Sequence, residues 1–228
     1  MDAVARRQAL ARTQIFQALR PEELDAILAR AAVRRIARGE VIRRRGDPGS
    51  GMVVIVSGRV RISLTSEDGR EVTLTMLGPN EVLGEMTLLD GGECSADATA
   101  QEDCVVLTVE RTQFLRLLRS NSELCLGLVT VLFQRLRRAN AALEGMALQD
   151  LPTRLGRVLL RLSGDYGVAS KGGTRIEVKL SQKDLSSLVG ASREKVNRQL
   201  RQWEDEGIIG KDEGRLLICR PEALAPLD

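Results

Sequence analysis

The spacing of hydrophobic residues divides the chain into a helical start, a central β-rich region and a helical end. Residues 5–31 carry apolar side chains at helical spacing, and Pro21 lies in the first turn of the second helix predicted there. Residues 33–109 instead alternate short β-branched runs with the turn sequences GDPG, SGR, EDGR and GPN. Turns that recur at this rate, about every ten residues, are typical of a compact antiparallel barrel or sandwich.

A long helix is predicted from residue 112 to residue 148, where apolar positions return to steps of three and four. One interpretation packs this helix against its own domain. The other, which we favour, pairs it with a second chain as a coiled coil, because Arg135, Arg137 and Arg138 leave only a narrow apolar stripe. The predicted dimer seam consists of five side chains on that stripe, namely Leu128, Leu132, Leu136, Ala139 and Leu143.

A second domain is predicted to begin at QDLPTRL, where Asp150 can cap a new helix that carries Pro152 in its first turn. The stretch SQKDLSSLVG predicts a short helix that Ser181 caps and Gly190 ends. A further helix and a hairpin in IIGKDEGRLLI follow. Two short helices across a glycine-containing turn, followed by a hairpin, are typical of a winged helix-turn-helix.

The second of these helices, SREKVNRQLRQW, separates its apolar and polar side chains onto two faces. Val196, Leu200 and Trp203 lie at steps of four and three, so we expect them to anchor the helix to its domain. A helix-turn-helix inserts its second helix into the major groove of DNA. The residues that we assign to DNA are the capping serine and the polar face, namely Ser192, Arg193, Glu194, Asn197, Arg198 and Arg201.

Different members of this set suit different parts of the DNA. We expect Arg193, Glu194 and Arg198 to contact bases, since arginine donates to O6 and N7 of guanine and glutamate accepts from N4 of cytosine. Arg201 lies further along the helix and suits a phosphate, whereas Asn197 suits a base or a neighbouring side chain. The alternative is a solvated helix without a partner. A formal net charge of +3, all of it in residues 151–228, favours DNA.

Composition removes several classes of function. The chain has no histidine, which excludes histidine-based catalytic triads and the zinc or haem sites that need imidazole. No lysine follows GDPGSG, so this turn is not a phosphate-binding loop, and we expect neither an enzyme nor a metal site. Four widely spaced cysteines predict free thiols in the cytoplasm. No run approaches the ~18 apolar residues of a membrane span, so no membrane partner is expected.

Over nearly its whole length the chain resembles the Crp/Fnr family of bacterial transcription regulators. LSQKDLSSLVGASREKVNRQLRQWEDEGII follows that family's DNA-binding motif, and GDPGSGMVVIVSGRVRI with LGEMTLLDGGECSADATA resembles its cyclic-nucleotide-binding β-roll. The long helix and the break at Asp150 match its dimerisation helix and hinge. The resemblance implies a homodimer that binds a palindromic, TGTGA-like site on double-stranded DNA and recruits RNA polymerase through surface loops.

Pattern and resemblance together predict an α+β fold. Its parts, in chain order, are an antiparallel, jelly-roll-like β-roll sensor domain over residues 1–110, a dimerisation helix over residues 111–149 and a winged helix-turn-helix over residues 150–228.

The resemblance also implies an effector pocket in the β-roll, and its first anchor is present. In members that bind a cyclic nucleotide, the glutamate of a Gly-Glu pair accepts a hydrogen bond from the ribose; Gly84 and Glu85 match this pair and precede Met86. Asn140 occupies a place on the long helix where cyclic-AMP receptors contact the purine. Glu85 has an alternative role, because a carboxylate at a strand end can accept backbone N–H bonds without any ligand.

The second anchor is altered. Family members hold the cyclic phosphate with an Arg-Ser pair, where this chain carries Cys94 and Ser95, and no basic residue lies between Arg70 and Arg111. A charge-assisted hydrogen bond contributes roughly 1.5–3 kcal/mol, so its loss implies about ten- to hundredfold weaker binding. A cyclic nucleotide, another small effector and no ligand all stay open. A redox role for Cys94 is disfavoured, because its acidic neighbours would raise the pKa of the thiol.

A competing function is a nucleotide-binding signalling subunit whose C-terminal domain contacts a protein. A protein-docking helix would be expected to present apolar or aromatic anchors. The polar face of SREKVNRQLRQW has none, so we favour DNA as the partner.

Overall fold

The computed structural model describes residues 3–67 and 71–224, which form two compact units. The units divide between Arg138 and Ala139, inside a helix that continues to Leu148. The sequence predicts the boundary later, at Asp150. In the structure, the C-terminal end of the long helix clusters with the second unit rather than with the first. Among the described residues, no helix is both long and apolar enough to span a membrane.

Two four-stranded antiparallel sheets form the β-roll of the first unit. The strands are β1 Ala32–Ile36, β2 Val41–Arg43, β3 Gly51–Ser57, β4 Val60–Thr65, β5 Glu71–Leu77, β6 Val82–Leu83, β7 Asp97–Ala100 and β8 Cys104–Glu110. They are ordered β1-β8-β3-β6 in one sheet and β2-β7-β4-β5 in the other. Gly58, in the turn SGR between β3 and β4, has a φ of +86°, and a Cβ there would lie 2.6 Å from the carbonyl oxygen of Asp103. The predicted α+β class with an N-terminal antiparallel roll is confirmed.

Helices precede and follow the strands of the roll, and one short helix lies between β6 and β7. They are α1 Ala3–Arg12, a 3-10 turn Gln14–Phe16, α2 Pro21–Leu28, α3 Glu85–Asp90, α4 Arg111–Ser120 and α5 Ser122–Leu148. The single helix predicted from residue 112 is thus two helices. Asn121 is extended (φ −138°, ψ 103°), and its Oδ1 accepts a hydrogen bond from Leu124 N at 3.0 Å. An asparagine that satisfies a free N–H in this way starts a new helix.

One face of α5 is buried against its own unit. Leu124 and Leu128 are 0% and 2% exposed and belong to the core that contains the edge-to-face pair of Phe16 and Phe114. Leu132 packs against the same core. Leu128 is therefore buried within its own chain, contrary to the prediction that it lines a dimer seam, whereas Leu132 is only partly buried and its place in the seam stays a prediction. For Leu128 the structure supports the alternative that packs the helix against its own domain.

A second apolar face of α5 remains exposed. The side chains on this outer stripe are 42–65% exposed and follow one another at heptad spacing: Leu126, Val129, Phe133, Leu136 and Leu143. Two predicted seam residues, Leu136 and Leu143, lie on it, and Ala139 is exposed beside it. The polar residue Asn140 occupies the position of this stripe between Leu136 and Leu143. Sequence periodicity shows both stripes but not which of them packs on the chain's own core.

The second unit is a winged helix-turn-helix. Its elements are α6 Leu151–Tyr166, β9 Gly167–Ser170, β10 Gly173–Ile176, α7 Gln182–Val189, α8 Arg193–Asp205, β11 Ile209–Asp212, β12 Arg215–Ile218 and a 3-10 turn Pro221–Ala223. The strands are ordered β11-β12-β10-β9. Strand β9, which pairs with β10 in a hairpin, was not among the predicted elements.

The helix ends that the sequence predicts in this unit are confirmed. Asp150 caps α6 by accepting a hydrogen bond from Thr153, and that bond lowers the pKa of the Asp150 carboxyl. Ser181 forms a capping box with Asp184 at the start of α7. Gly190 ends α7 in the left-handed conformation (φ +63°).

Leu128→Ala should lower the free energy of unfolding of the first unit by about 2–5 kcal/mol, because it opens a cavity in the core. Leu148→Ala is the matched control, since Leu148 is 78% exposed near the end of α5. Urea denaturation of both variants and the parent chain measures the difference. A loss of stability that is no larger for Leu128→Ala than for Leu148→Ala would show that Leu128 is not a core residue.

Candidate DNA-binding surface and effector pocket

Helix α8 is fixed to its unit by a capped start and a buried apolar face. Ser192 is the N-cap and accepts a hydrogen bond from Lys195 N at 3.4 Å. Val196, Leu200 and Trp203 are 0%, 8% and 6% exposed and belong to the core of the second unit. The rotation of α8 about its axis is therefore set by packing, which determines the side chains that it presents to solvent.

The opposite face of α8 carries the predicted DNA-binding side chains. Arg193, Glu194, Arg198 and Arg201 are all exposed. Among the described residues, no intramolecular ion pair engages any of these four groups. Asn197 is half-buried between them, and its Oδ1 is buried without a hydrogen-bond partner. The surface thus offers free guanidinium donors and a free carboxylate acceptor, the chemistry that reads guanine and cytosine in the major groove.

An ion-pair network holds the wing beside the β9–β10 hairpin. Arg175 contacts Glu177 at 2.7 Å, Asp212 at 3.1 Å and Glu213 at 2.8 Å. Ser170 Oγ also donates to Asp212 at 2.6 Å, and this hydrogen bond, with the charge of Arg175, lowers the pKa of Asp212. The sequence does not reveal this network, since its members come from three separate strands, from the residue after β10 and from one turn.

The residues predicted to form an effector pocket in the first unit include a buried carboxylate. Gly84 is left-handed (φ +83°), and a Cβ there would lie 2.8 Å from the carbonyl oxygen of Gly51, so the position requires glycine. Glu85 follows at the start of α3 and is 1% exposed. Its Oε2 is buried and has no hydrogen-bond partner. Met86, the next residue, is 51% exposed.

Arg135 of α5 donates a hydrogen bond to the other oxygen of this carboxylate. Its Nη1 donates to Glu85 Oε1, and its Nη2 donates to the carbonyl oxygen of Val82. Sequence reasoning missed this role. The signal was present, because Arg135 continues the buried face of α5 at helical spacing from Leu124 and Leu128.

The loop that replaces the family's Arg-Ser pair is partly buried. Cys94 is 8% exposed, whereas Ser95 is exposed. Burial raises the pKa of the Cys94 thiol, Arg43 opposes that rise, and Asp47 adds to it. The raised pKa agrees with the expectation of an unreactive thiol, but burial is its main cause, not the acidic neighbours in sequence. Asn140, the remaining candidate, is exposed on the part of α5 that belongs to the second unit.

No group of three or more histidine, cysteine, aspartate or glutamate side chains that could hold a metal ion occurs among residues 3–67 and 71–224.

Comparison with known proteins gives matches to both units. The family model described as a cyclic nucleotide-binding domain matches residues 33–121, and that described as a Crp-like helix-turn-helix domain matches residues 153–227. The first range includes Glu85 and Cys94, and the second includes α7 and α8.

Curated relatives match almost end to end. The CRP-like cAMP-activated global transcriptional regulator of Mycobacterium tuberculosis is 33% identical over 95% of this chain and 96% of its own length. The cyclic AMP receptor protein of Thermus thermophilus is 35% identical over 86% of this chain and 87% of its own. Among solved structures, the c-di-GMP responsive global regulator CLP of Xanthomonas campestris superposes with a TM-score of 0.75 over 87% of this chain and 99% of its own. At 23% identity, that last match shows the fold alone.

Arg135→Ala should destabilise the first unit by about 3 kcal/mol, because it leaves the buried Glu85 carboxylate without its partner. We expect the low end of the usual range, since Arg135 is 31% exposed. Adding Glu85→Gln should restore most of the loss. The matched control is Arg138→Ala, whose pair with Glu81 is 3.8 Å long and exposed and should cost less than about 1 kcal/mol. Chemical denaturation that shows equal costs for the two arginines would contradict a buried ion pair.

Proposed function

The chain belongs to the Crp/Fnr family of transcription regulators, and we propose that it acts as a homodimer that binds a palindromic, TGTGA-like DNA site. The observation that carries this proposal is the polar face of α8. Its three arginines and its glutamate are exposed and unpaired in the described chain, on a helix whose rotation is fixed by a buried apolar face.

We assign base contacts to Arg193, Glu194 and Arg198, which lie in the first two turns of α8. The N-terminal residues of a recognition helix reach furthest into the major groove. Arg201 lies one turn further along and contacts phosphate in this proposal. Ser192 contributes its hydroxyl at the start of the helix.

Dimerisation through the outer stripe of α5 accounts for the palindrome. Two parallel copies of α5 would bury the exposed stripe of each chain against the other at heptad spacing. An asparagine at one core position, here Asn140, favours two strands in a single register. The two-fold axis would then present two α8 helices to half-sites one DNA turn apart, about 34 Å.

The first unit acts in this proposal as the effector domain. Two of its relatives are named for activation by cyclic AMP or as its receptor. The Oε2 of Glu85 is buried without a partner, so a ligand hydroxyl that reached it would satisfy its hydrogen-bonding capacity. We therefore propose a cyclic nucleotide or a related small effector as its ligand, with RNA polymerase as the partner of the DNA-bound dimer in the cytoplasm.

Arg198→Ala should cost about 1–3 kcal/mol on the preferred DNA site and relax the preference at one base pair of each half-site. Arg201→Ala should weaken binding to all sequences alike and reduce the salt dependence. Selection from randomised duplexes, followed by titration of the selected site and of random DNA with the parent chain and both variants, measures these effects.

The two variants remove the same charge from the same helix, so each controls for the other. An equal loss on selected and random DNA in Arg198→Ala would show that this residue contacts only phosphate. Failure of the parent chain to select any palindrome would contradict the proposed function itself.

A further inference from the structure

The C-terminal end of α5 is hydrogen-bonded to the first turn of α6 within the second unit. Gln149 follows the last residue of α5, and its N–H still donates to the carbonyl oxygen of Gly145 at 3.1 Å. The carbonyl oxygen of Gln149 accepts a hydrogen bond from Arg154 Nη1 at 2.7 Å. The carbonyls at the end of a helix have no partner inside that helix, so α6 supplies one here.

The same guanidinium binds the end of α7. Arg154 Nε donates to the carbonyl oxygen of Val189 at 3.3 Å. Val189 is the last residue of α7 and is 2% exposed. The left-handed Gly190 follows it, and α8 begins three residues later at Arg193. Arg154 therefore contacts the first helix of the helix-turn-helix immediately before the turn that leads into α8.

Packing brings the last turn of α5 to the same place. Gly145 is buried, and a Cβ there would lie 3.8 Å from Arg154 Cγ and 3.9 Å from Arg154 Cδ. A Cβ on Gly190 would lie 3.4 Å from Met146 Cε. The end of α5 thus lies beside both the methylene groups of Arg154 and the turn that precedes α8.

The donors of Arg154 are used on carbonyl groups rather than on a carboxylate. No side-chain ion pair of Arg154 occurs among residues 3–67 and 71–224. The C-terminal ends of helices carry partial negative charge, which favours a cation between two of them. Because the guanidinium is planar and its donors have a fixed geometry, it holds the ends of α5 and α7 in one arrangement.

We propose that Arg154 is a positioning residue for DNA recognition, which fixes α8 relative to the end of α5. Leu143, the last residue of the outer stripe, belongs to the same compact unit as α8. In the proposed dimer the stripe sets the place of α5 beside the two-fold axis, so the contacts of Arg154 set the separation of the two α8 helices. The dimer then accepts half-sites at one spacing. This inference rests on the proposed dimer and its palindromic site.

Binding to palindromes of altered spacing tests the inference. The full parent chain selects a site from randomised duplexes, and the spacer between the half-sites is then shortened or lengthened by a single base pair. Arg154→Gln should bind the selected site about tenfold more weakly, because a charge-assisted hydrogen bond is lost, and should lose less affinity than the parent chain when the spacer changes. Its affinity for random DNA and for a single half-site should equal that of the parent chain, since α8 keeps all of its side chains.

Two further variants separate position from charge and from stability. Arg154→Lys keeps the charge but lacks the planar set of donors, so it should also relax the spacing preference. Arg161→Gln is the matched control, because it removes the same charge from an exposed position two turns further along α6, and it should keep the spacing preference of the parent chain. Thermal unfolding checks that each variant is folded, and Arg154→Lys provides the test if Arg154→Gln does not fold.

Three results would overturn the inference. They are an unchanged spacing preference in both variants of Arg154, an equal relaxation in Arg161→Gln, and an equal loss on selected and random DNA in Arg154→Gln with a smaller salt dependence. The last result would make Arg154 a phosphate contact. Failure of the parent chain to select any palindrome would overturn the proposed function as well, whereas a selected palindrome with unchanged spacing preference in the variants overturns this inference alone.

Discussion

Helix α5 must bury one apolar face against its own β-roll while it leaves a second apolar face exposed. The core of the first unit depends on the buried face, and the proposed dimer depends on the exposed one. The inner face, with Leu124 and Leu128, belongs to the core of the first unit. The outer stripe, from Leu126 to Leu143, is 42–65% exposed. A helix with 3.6 residues per turn can carry both apolar faces, because the residues of the inner face and those of the outer stripe occupy different positions around the helix axis.

Arg135 connects this helix to Glu85, one of the predicted effector contacts. It lies at the end of the inner face, and its guanidinium holds both the carboxylate of Glu85 and the carbonyl of Val82. Glu85, which we expect to contact a ligand, is therefore also bound by a residue of the proposed dimerisation helix. Because Glu85 is 1% exposed, loss of Arg135 would leave a buried charge without a partner.

Local chemistry made much of the fold predictable from sequence. Asp150 and Ser181 mark helix starts because their side chains accept hydrogen bonds from N–H groups three residues on. Gly190 marks a helix end because glycine adopts the left-handed conformation without steric cost. The apolar face of α8 follows in the same way from Val196, Leu200 and Trp203. The polar face of α8 is exposed as predicted, while the assignment of its residues to DNA remains a proposal.

Features that depend on contacts distant in sequence were not predictable. The assignment of Leu128 to a dimer seam failed because periodicity alone does not say which stripe meets the chain's own core. Asn121 breaks the long helix through one side-chain hydrogen bond.

Oxidative cross-linking tests the division of α5 most directly. The chain would carry Cys125→Ser and Cys219→Ser, which remove the two cysteines that are not buried, and a single new cysteine from Leu136→Cys on the outer stripe or Leu128→Cys on the inner face. Paired cysteines link only when their Cα atoms lie about 4.4–6.8 Å apart. The account predicts a disulfide-linked dimer for Leu136→Cys and none for Leu128→Cys. Efficient linkage through Leu128→Cys, with none through Leu136→Cys, would contradict it.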